Sequence, residues 1–333
     1  MEREHEDLRL TGMFEPTDRG MEETSLVKFG VLGRAMAVFT DAPGLVRRAV
    51  EAQFGAPAMV ERAAAPPSDG LLILLRGGDG AAGMRERFGS GHEVNFDGLK
   101  LEAGPGWEWM LAEAVGDDGE AVRVVMRSVA VFARAALMRE GVYFFHAGAA
   151  GTGDSAAVFA GVNDTGKSSL VRFFLERGWE FIADDNLPAS VSSGRAVVHF
   201  TCEAVNFGRL SAPALTRMES LGFVPAAFPS FYRAAAAESR GERVGRTAAP
   251  RAIFFLEASG GGERVESVDH PAAAALLMGL TRSPVTRGHY AACMDLACGL
   301  VSGSRCFRVR WDPSGAAAPA LGEIERLAEE CAR

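Results

Sequence analysis

The sequence predicts a mixed α/β core built around a phosphate-binding loop, preceded by a small α+β domain. Three observations carry this. Gly161-x-x-x-x-Gly166-Lys167-Ser168 has the spacing of a Walker A loop. It follows the apolar run "AAVFA" and opens a segment with helical periodicity, so a strand leads in and a helix leads out. Further apolar strand-like runs, with few helices between them, extend to the C-terminus.

The elements follow in order. Residues 1–24 are polar and expected to be poorly ordered, with eight acids against three arginines. Residues 25–118 read as the small α+β domain. There the runs "LVKFGVLG", "AMAVFT" and "LLILL" alternate with the turn-rich pieces "APPSDG", "RGGDGAAG" and "EAGPG", and "GLVRRAVEAQFG" has helical spacing. Residues 119–333 read as the second domain. A helix from about Glu120 to Glu140 closes at Gly141, a candidate C′ glycine. "VYFFH" and "AAVFA" are strands, Ser168–Arg177 is a helix closed by Gly178, and "WEFIA" is the next strand. "AVVHF", "AIFFLE" and "CFRVRW" supply later strands, and a helix covers about Ala320–Ala332. Pro225–Pro250, with Arg233, Arg240, Arg243 and Arg246, reads as a mobile surface loop.

With 48% hydrophobic and 23% charged residues, the 333-residue chain has the composition of an ordinary globular protein. A net charge of −8 and no basic cluster argue against nucleic acid as a partner. The longest apolar stretch, "VRVVMRSVAVFARAALM", is interrupted by Arg123, Arg127 and Arg134, which argues against a membrane span. The acidic N-terminus lacks the apolar region of a secretory signal, and the five cysteines form no CxxC pair. Both features fit a cytoplasmic protein with reduced thiols. Oligomeric state is left open.

Each position of the loop has a chemical reason. Glycines let backbone N–H groups turn inward around oxyanions. Lys167 brings a compact positive charge to the β- and γ-phosphates of a nucleotide, in a chain with only two other lysines, Lys28 and Lys100. Ser168 can offer its hydroxyl to Mg²⁺, and the helix behind it points its positive end at the phosphates. The Asn-Lys-x-Asp motif of GTPases and the Asp-Glu pair of many ATPases are absent.

Asp184-Asp185 ends the strand "WEFIA", with Asp184 17 residues after Lys167. One helix, a glycine turn and a strand fill that interval and bring the acids back toward the loop. Two adjacent carboxylates can divide labour, one holding Mg²⁺ and the other accepting the proton of an attacking hydroxyl. His146 ends "VYFFH", 21 residues before Lys167, where it could tune the acids. Arg251, Arg282 and Arg287 are candidates for a cation that steadies transferred charge.

Together, "FHAGAA … FAGVNDTGKSSLVRFFLERGWEFIADD" resembles the HPr kinase/phosphorylase family and its kinase-like relatives. In that family a His-Gly strand, a GxxGxGKS loop, an "RG" helix end and an "ADD" strand follow at similar intervals. The resemblance spans His146 to Asp185. It implies a P-loop kinase core of the HPr kinase/PEP carboxykinase-like type, a mixed sheet with few helices. It further implies that Lys167 and the loop, with Gly161, Asn163, Asp164, Thr165, Gly166, Ser168 and Ser169, bind the phosphates of ATP. Ser168 and Asp185 would hold Mg²⁺, Asp184 would be the general base supported by His146, and Glu203 would be a further metal ligand. The implied activity is transfer of the γ-phosphate to a hydroxyl, most readily a Ser of a small protein or peptide. A regulatory module that holds a nucleotide without phosphotransfer is the alternative.

Overall fold

In the computed structural model the chain divides into two compact units, Met1–Val31 with Ala35–Ala133, and Leu32–Arg34 with Arg134–Arg333. The structure describes residues 25–32, 34–40, 42–54, 59–62, 71–75, 91–96, 99–105, 107, 109–113, 118–201, 205–206, 216, 219–220, 223–225, 231–234, 246–258, 262–283, 287–312 and 319–333. Segment 1–24, and Glu203 among the expected metal ligands, lie outside them.

The first unit holds β1 (Ser25–Val31), β2 (Arg34–Thr40), α1 (Pro43–Phe54), β3 (Met59–Arg62), β4 (Leu71–Leu75), β5 (His92–Phe96), β6 (Leu99–Ala103) and β7 (Trp109–Glu113). Its seven strands form one sheet in the order β3-β1-β2-β4-β7-β6-β5, with β2, β4 and β7 parallel. Leu45, Val46, Ala49 and Val50 of α1 are buried, the three-and-four spacing of one helix face. α2 (Asp118–Arg139) runs across the division between the units. It closes as its sequence suggests. Gly141 has φ 81°, and its N–H and that of Val142 bond back to the Met138 and Leu137 carbonyls, each at 3.0 Å.

The second unit is a mixed α/β structure with a curled sheet. Its strands are β8 (Tyr143–Phe145), β9 (Ala147–Thr152), β10 (Ser155–Ala160), β11 (Glu180–Ala183), β12 (Leu187–Ser192), β13 (Arg195–His199), β17 (Thr247–Ala258), β18 (Arg264–Ser267) and β19 (Arg305–Trp311). β14 (Val205–Asn206), β15 (Phe223–Pro225) and β16 (Phe231–Ala234) form a separate three-stranded sheet. The helices are α3 (Lys167–Leu175), α4 (His270–Gly279), α5 (Arg287–Ser302) and α6 (Pro319–Ala332). The nine-stranded sheet runs β11-β9-β10-β17-β13-β12-β8, with β19 also on β17 and β18 on β19. The long β17 joins its parts. Thr247 and Ala248 pair with β13, and later residues pair in parallel with both β10 and β19.

One aromatic row ties this sheet to the helix after the glycine loop. Phe159, Phe254 and Phe307 are cross-strand neighbours on β10, β17 and β19, with ring centroids 5.9 and 5.2 Å apart along the row. Phe174 of α3 lies 5.2 Å from Phe159 and 4.8 Å from Trp179. Trp311, Ile324 and Leu327 complete the cluster, so α6 packs on the same core. Gly178, with φ 86°, ends the α3 turn, as its position after "FFLER" suggests.

Parts of the sequence reading need correction. Pro225–Pro250 is not simply a surface loop, since Phe231–Ala234 is a strand and Thr247–Pro250 opens β17. β9, α4 and α5 are elements the apolar patterns did not announce. Among the described residues no helix is long and apolar enough to cross a membrane.

Phe174 is fully buried and stacks on Phe159 at one end of the aromatic row. Phe174→Ala is expected to cost about 3–5 kcal/mol of stability, read as a lower denaturant midpoint, and a change under 1 kcal/mol would mean the row is not the core of this unit.

Candidate functional site

The site lies where the chain twice changes strand partners. β8 pairs with β12, but the next strand, β9, pairs with β10 and β11. His146 is the single residue between β8 and β9. Likewise β11 pairs with β9, while the next strand, β12, pairs with β8, and Asp184, Asp185 and Asn186 are the residues between. Both crossings fall at one level, because Phe145 faces Leu187 and Ala149 faces Ala183. The glycine loop starts beside them: the Gly161 N–H donates to the His146 carbonyl at 3.2 Å. β-structure thus brings a histidine, two acids and the lysine loop to one place from segments far apart in sequence.

The loop joins β10 to α3. Gly161 is required by close packing, since a Cβ there would stand 2.6 Å from Thr165 Oγ1 and 3.0 Å from the Leu256 carbonyl. Asp164 and Gly166 have φ of 61° and 89°, the left-handed values that bend the loop into the helix. Gly166 is the helix N-cap and supplies no side-chain acceptor to the first turn. Val162, Asn163 and Asp164 are exposed, whereas Thr165 and Lys167 are buried. The Val162 carbonyl accepts from Thr165 Oγ1 and from Lys167 Nζ, both at 2.8 Å. From below, the buried Trp311 indole N–H donates to the Thr165 carbonyl at 2.9 Å.

The two carboxylates point to different partners. Ser168 Oγ lies 2.9 Å from both oxygens of the buried Asp184. Asp185 is half-exposed, and its Oδ1 lies 2.7 Å from His146 Nε2 and 3.7 Å from Lys167 Nζ. The split is a backbone matter. Asp185 has φ 64°, and the Asn186 N–H bonds to the Asp184 carbonyl at 2.7 Å, a three-residue turn of the rarer γ form. Holding a non-glycine residue there costs about 1–3 kcal/mol, which the surrounding structure must offset. Gly148 on β9 lets Asp184 approach, because a Cβ there would stand 2.7 Å from Val171 Cγ2 and 3.3 Å from Asp184 Oδ1.

These contacts differ from the sequence expectation in detail. His146 meets Asp185, not Asp184, and the Ser168 hydroxyl meets Asp184, not Asp185. Adjacent residues at a strand end project to opposite sides, and the tight turn at Asp185 sharpens that separation. Asn163, Asp164 and Ser169 lie on the exposed side of the loop and first helical turn. Of the three arginines, Arg282 joins the cluster, with Nη2 3.0 Å from His146 Nε2. Arg251 does not. It is the extra residue in the β10–β17 register, level with Ala156 and Ala157, and a strand rise of about 3.3 Å per residue leaves it about 13 Å short of the loop. Arg287 is exposed at the first residue of α5. Asn186, which the sequence did not single out, accepts from the buried Arg134 at 3.3 Å.

Charge is concentrated here. Burial pulls the Lys167 ammonium below its usual pKa, against the opposing pull of Asp185 and Asp184. Burial alone would raise the Asp185 carboxyl. The His146 hydrogen bond and the charges of His146, Lys167 and Arg282 outweigh it and hold Asp185 below its ordinary value. Ser168 and the two carboxylates are hard oxygen donors of the kind that suit Mg²⁺. Among the described residues no group of three or more His, Cys, Asp or Glu gathers to make a metal cage. The four described cysteines are free, and burial pushes the Cys306 thiol up to about 11.

No family model matches the chain, and no curated protein matches it. Among solved structures, the Hpr(Ser) kinase/phosphatase from Coxiella burnetii is similar over 56% of this chain and 88% of that one, at 11% identity and a TM-score of 0.28. A likeness of this size assigns neither a family nor an activity.

The depressed Asp185 fixes a sign for pH dependence. Its folded pKa lies below the ordinary 3.8, so its stabilising contribution is complete above that pH and is lost as pH falls through the folded value. Asp185→Asn is therefore expected to lower the thermal midpoint at pH 6, with a deficit that closes below about pH 3.8. A deficit that stays constant from pH 6 to pH 3 would rule out its charge contacts as the cause.

Proposed function

We propose that this chain is an ATP- and Mg²⁺-dependent kinase that transfers the γ-phosphate to a hydroxyl, most readily a Ser of a small protein or peptide. One observation carries the reading. The lysine of a glycine loop at a helix N-terminus and two adjacent carboxylates share one cluster, with Lys167 Nζ 3.7 Å from Asp185 and Ser168 2.9 Å from Asp184.

In this reading the loop amides and Lys167 bind the β- and γ-phosphates, the usual anion chemistry of such a loop. Lys167 would exchange its bond to the Val162 carbonyl for phosphate oxygens. Ser168 and Asp184 would hold Mg²⁺, which screens phosphate charge when bound. Asp185 would be the base. It is half-exposed and so open to an acceptor, it is ionised at neutral pH, and His146 orients it. These assignments exchange the parts of the two acids relative to the sequence expectation, because each acid's partner differs from the one expected. Most of the rate would come from positioning and charge stabilisation.

The test separates binding from transfer. Lys167→Ala is expected to weaken ATP binding at least tenfold by calorimetry, a loss in the range of one charge-assisted contact. Asp185→Asn is expected to retain ATP but lose at least a hundredfold of label transfer from [γ-³²P]ATP to Ser-containing peptides, the usual scale for removing a general base. Wild type that binds ATP and labels no protein or peptide would leave the nucleotide-holding regulatory module. Wild type that binds no ATP would remove both readings.

A further inference from the structure

We propose that Trp311 is a positioning residue for phosphate binding: its indole N–H fixes the Thr165–Gly166 peptide so that the Gly166 N–H faces the open side of the glycine loop. The inference rests on the reading of that loop as a phosphate site and adds to it what sets the direction of one of its donors.

The anchor is held by the core. Trp311 is the last residue of β19 and pairs with Ala258 of β17. It is 2% exposed, and its ring lies in one cluster with Ala320, Ile324 and Leu327 of α6. Sheet register and helix packing therefore set the place of the ring, and neither needs the loop. Its N–H donates to the Thr165 carbonyl at 2.9 Å. The Thr165 side chain is held separately, through the bond from Oγ1 to the Val162 carbonyl at 2.8 Å.

A trans peptide points its carbonyl and its N–H in opposite directions. With the Thr165 carbonyl drawn toward the buried indole, the Gly166 N–H points away from the core, to the side where Val162, Asn163 and Asp164 are exposed. Among the described residues that N–H has no acceptor. The first backbone bond of α3 runs from the Leu170 N–H to the Gly166 carbonyl at 3.0 Å. One residue earlier, the Thr165 carbonyl takes the indole in place of the Ser169 N–H. Two backbone donors at the helix start are thus left for an anion.

Gly166 makes the anchor necessary. Its φ is 89°. Half a turn of the Thr165–Gly166 peptide would carry that angle to about −90°, which glycine accepts equally well. The turn would aim the Thr165 carbonyl oxygen where the Gly166 N–H now stands. One orientation attracts phosphate and the other repels it. The turn would also strand a buried indole N–H, and the cost of that loss holds the attracting form before any ligand arrives. Binding then loses nothing to reorienting the peptide.

The test is calorimetric titration of the full chain with pyrophosphate and with ATP, each with Mg²⁺, together with a thermal midpoint for every variant. Trp311→Phe removes the donor and keeps an aromatic ring. Benzothienylalanine at position 311 carries sulfur in place of the indole N–H, so it removes the donor at nearly constant shape and guards against misfolding of the Phe variant. Ile324→Val is the control, because it loosens the same cluster and leaves the donor. Both changes at Trp311 are expected to weaken pyrophosphate and ATP alike by about tenfold, the scale of one charge-assisted bond. Ile324→Val is expected to lower the midpoint and keep both affinities within about twofold of wild type. Unchanged affinities in the sulfur variant, or an equal loss in Ile324→Val, overturn the role of Trp311 and leave the loop's phosphate reading in place. Wild type that binds neither pyrophosphate nor ATP overturns that reading and this role with it.

Discussion

The site depends on one topological constraint: the chain leaves the sheet and re-enters it with new partners at two neighbouring points. A strand residue must alternate faces and satisfy its backbone along a ladder, which leaves little freedom for chemistry. His146 and Asp184–Asn186 escape that rule because they lie between paired segments. Their backbone groups are still satisfied, His146 through Leu280 and Gly161, and Asn186 through Asp184. A polar cluster is thus built from the ends of strands, where side-chain positions are set by registers and not by a loop's average.

The electrostatics follow from that placement. Lys167 and Asp184 are both buried, and neither would be tolerated singly. The cluster also includes two histidine-linked contacts and a half-exposed acid, so its charges compensate one another across a few ångströms. The polar atoms facing this crossing are not interchangeable. Ser168 favours Asp184, while His146 and Lys167 favour Asp185, because the γ-turn rotates the second carboxylate away from the first.

Much of this was legible in the sequence where the pattern has a local cause. The loop spacing, the glycines ending α2 and α3, and the strands "AAVFA", "WEFIA" and "CFRVRW" each come from short-range chemistry. β9, "AGAAGT", was not legible. Small residues score poorly as strand formers, yet this strand lies between β10 and β11 and leaves room at Gly148 for Val171 and Asp184. The alanine-rich α4 also lacks a clear apolar stripe, and its N-cap, Asp269 bonding to the Ala272 N–H, is a local signal that could have located it. Which acid meets which partner could not be read from spacing, because it turns on one positive φ at Asp185. Nor could the choice among three arginines, which a β-bulge at Arg251 and the backbone pairing of Thr281 decide.

The indole beneath the loop ties two distant stretches of chain. Trp311 closes β19, and its ring is buried among residues that include three from α6 (Ala320, Ile324 and Leu327), while its N–H holds the Thr165 carbonyl, 146 residues earlier. The glycine loop is therefore not a portable cassette. A fragment cut before the last strand would keep the whole motif in its letters and lose the floor on which the motif's curve is laid, so grafting this loop elsewhere requires carrying the tail of the protein with it.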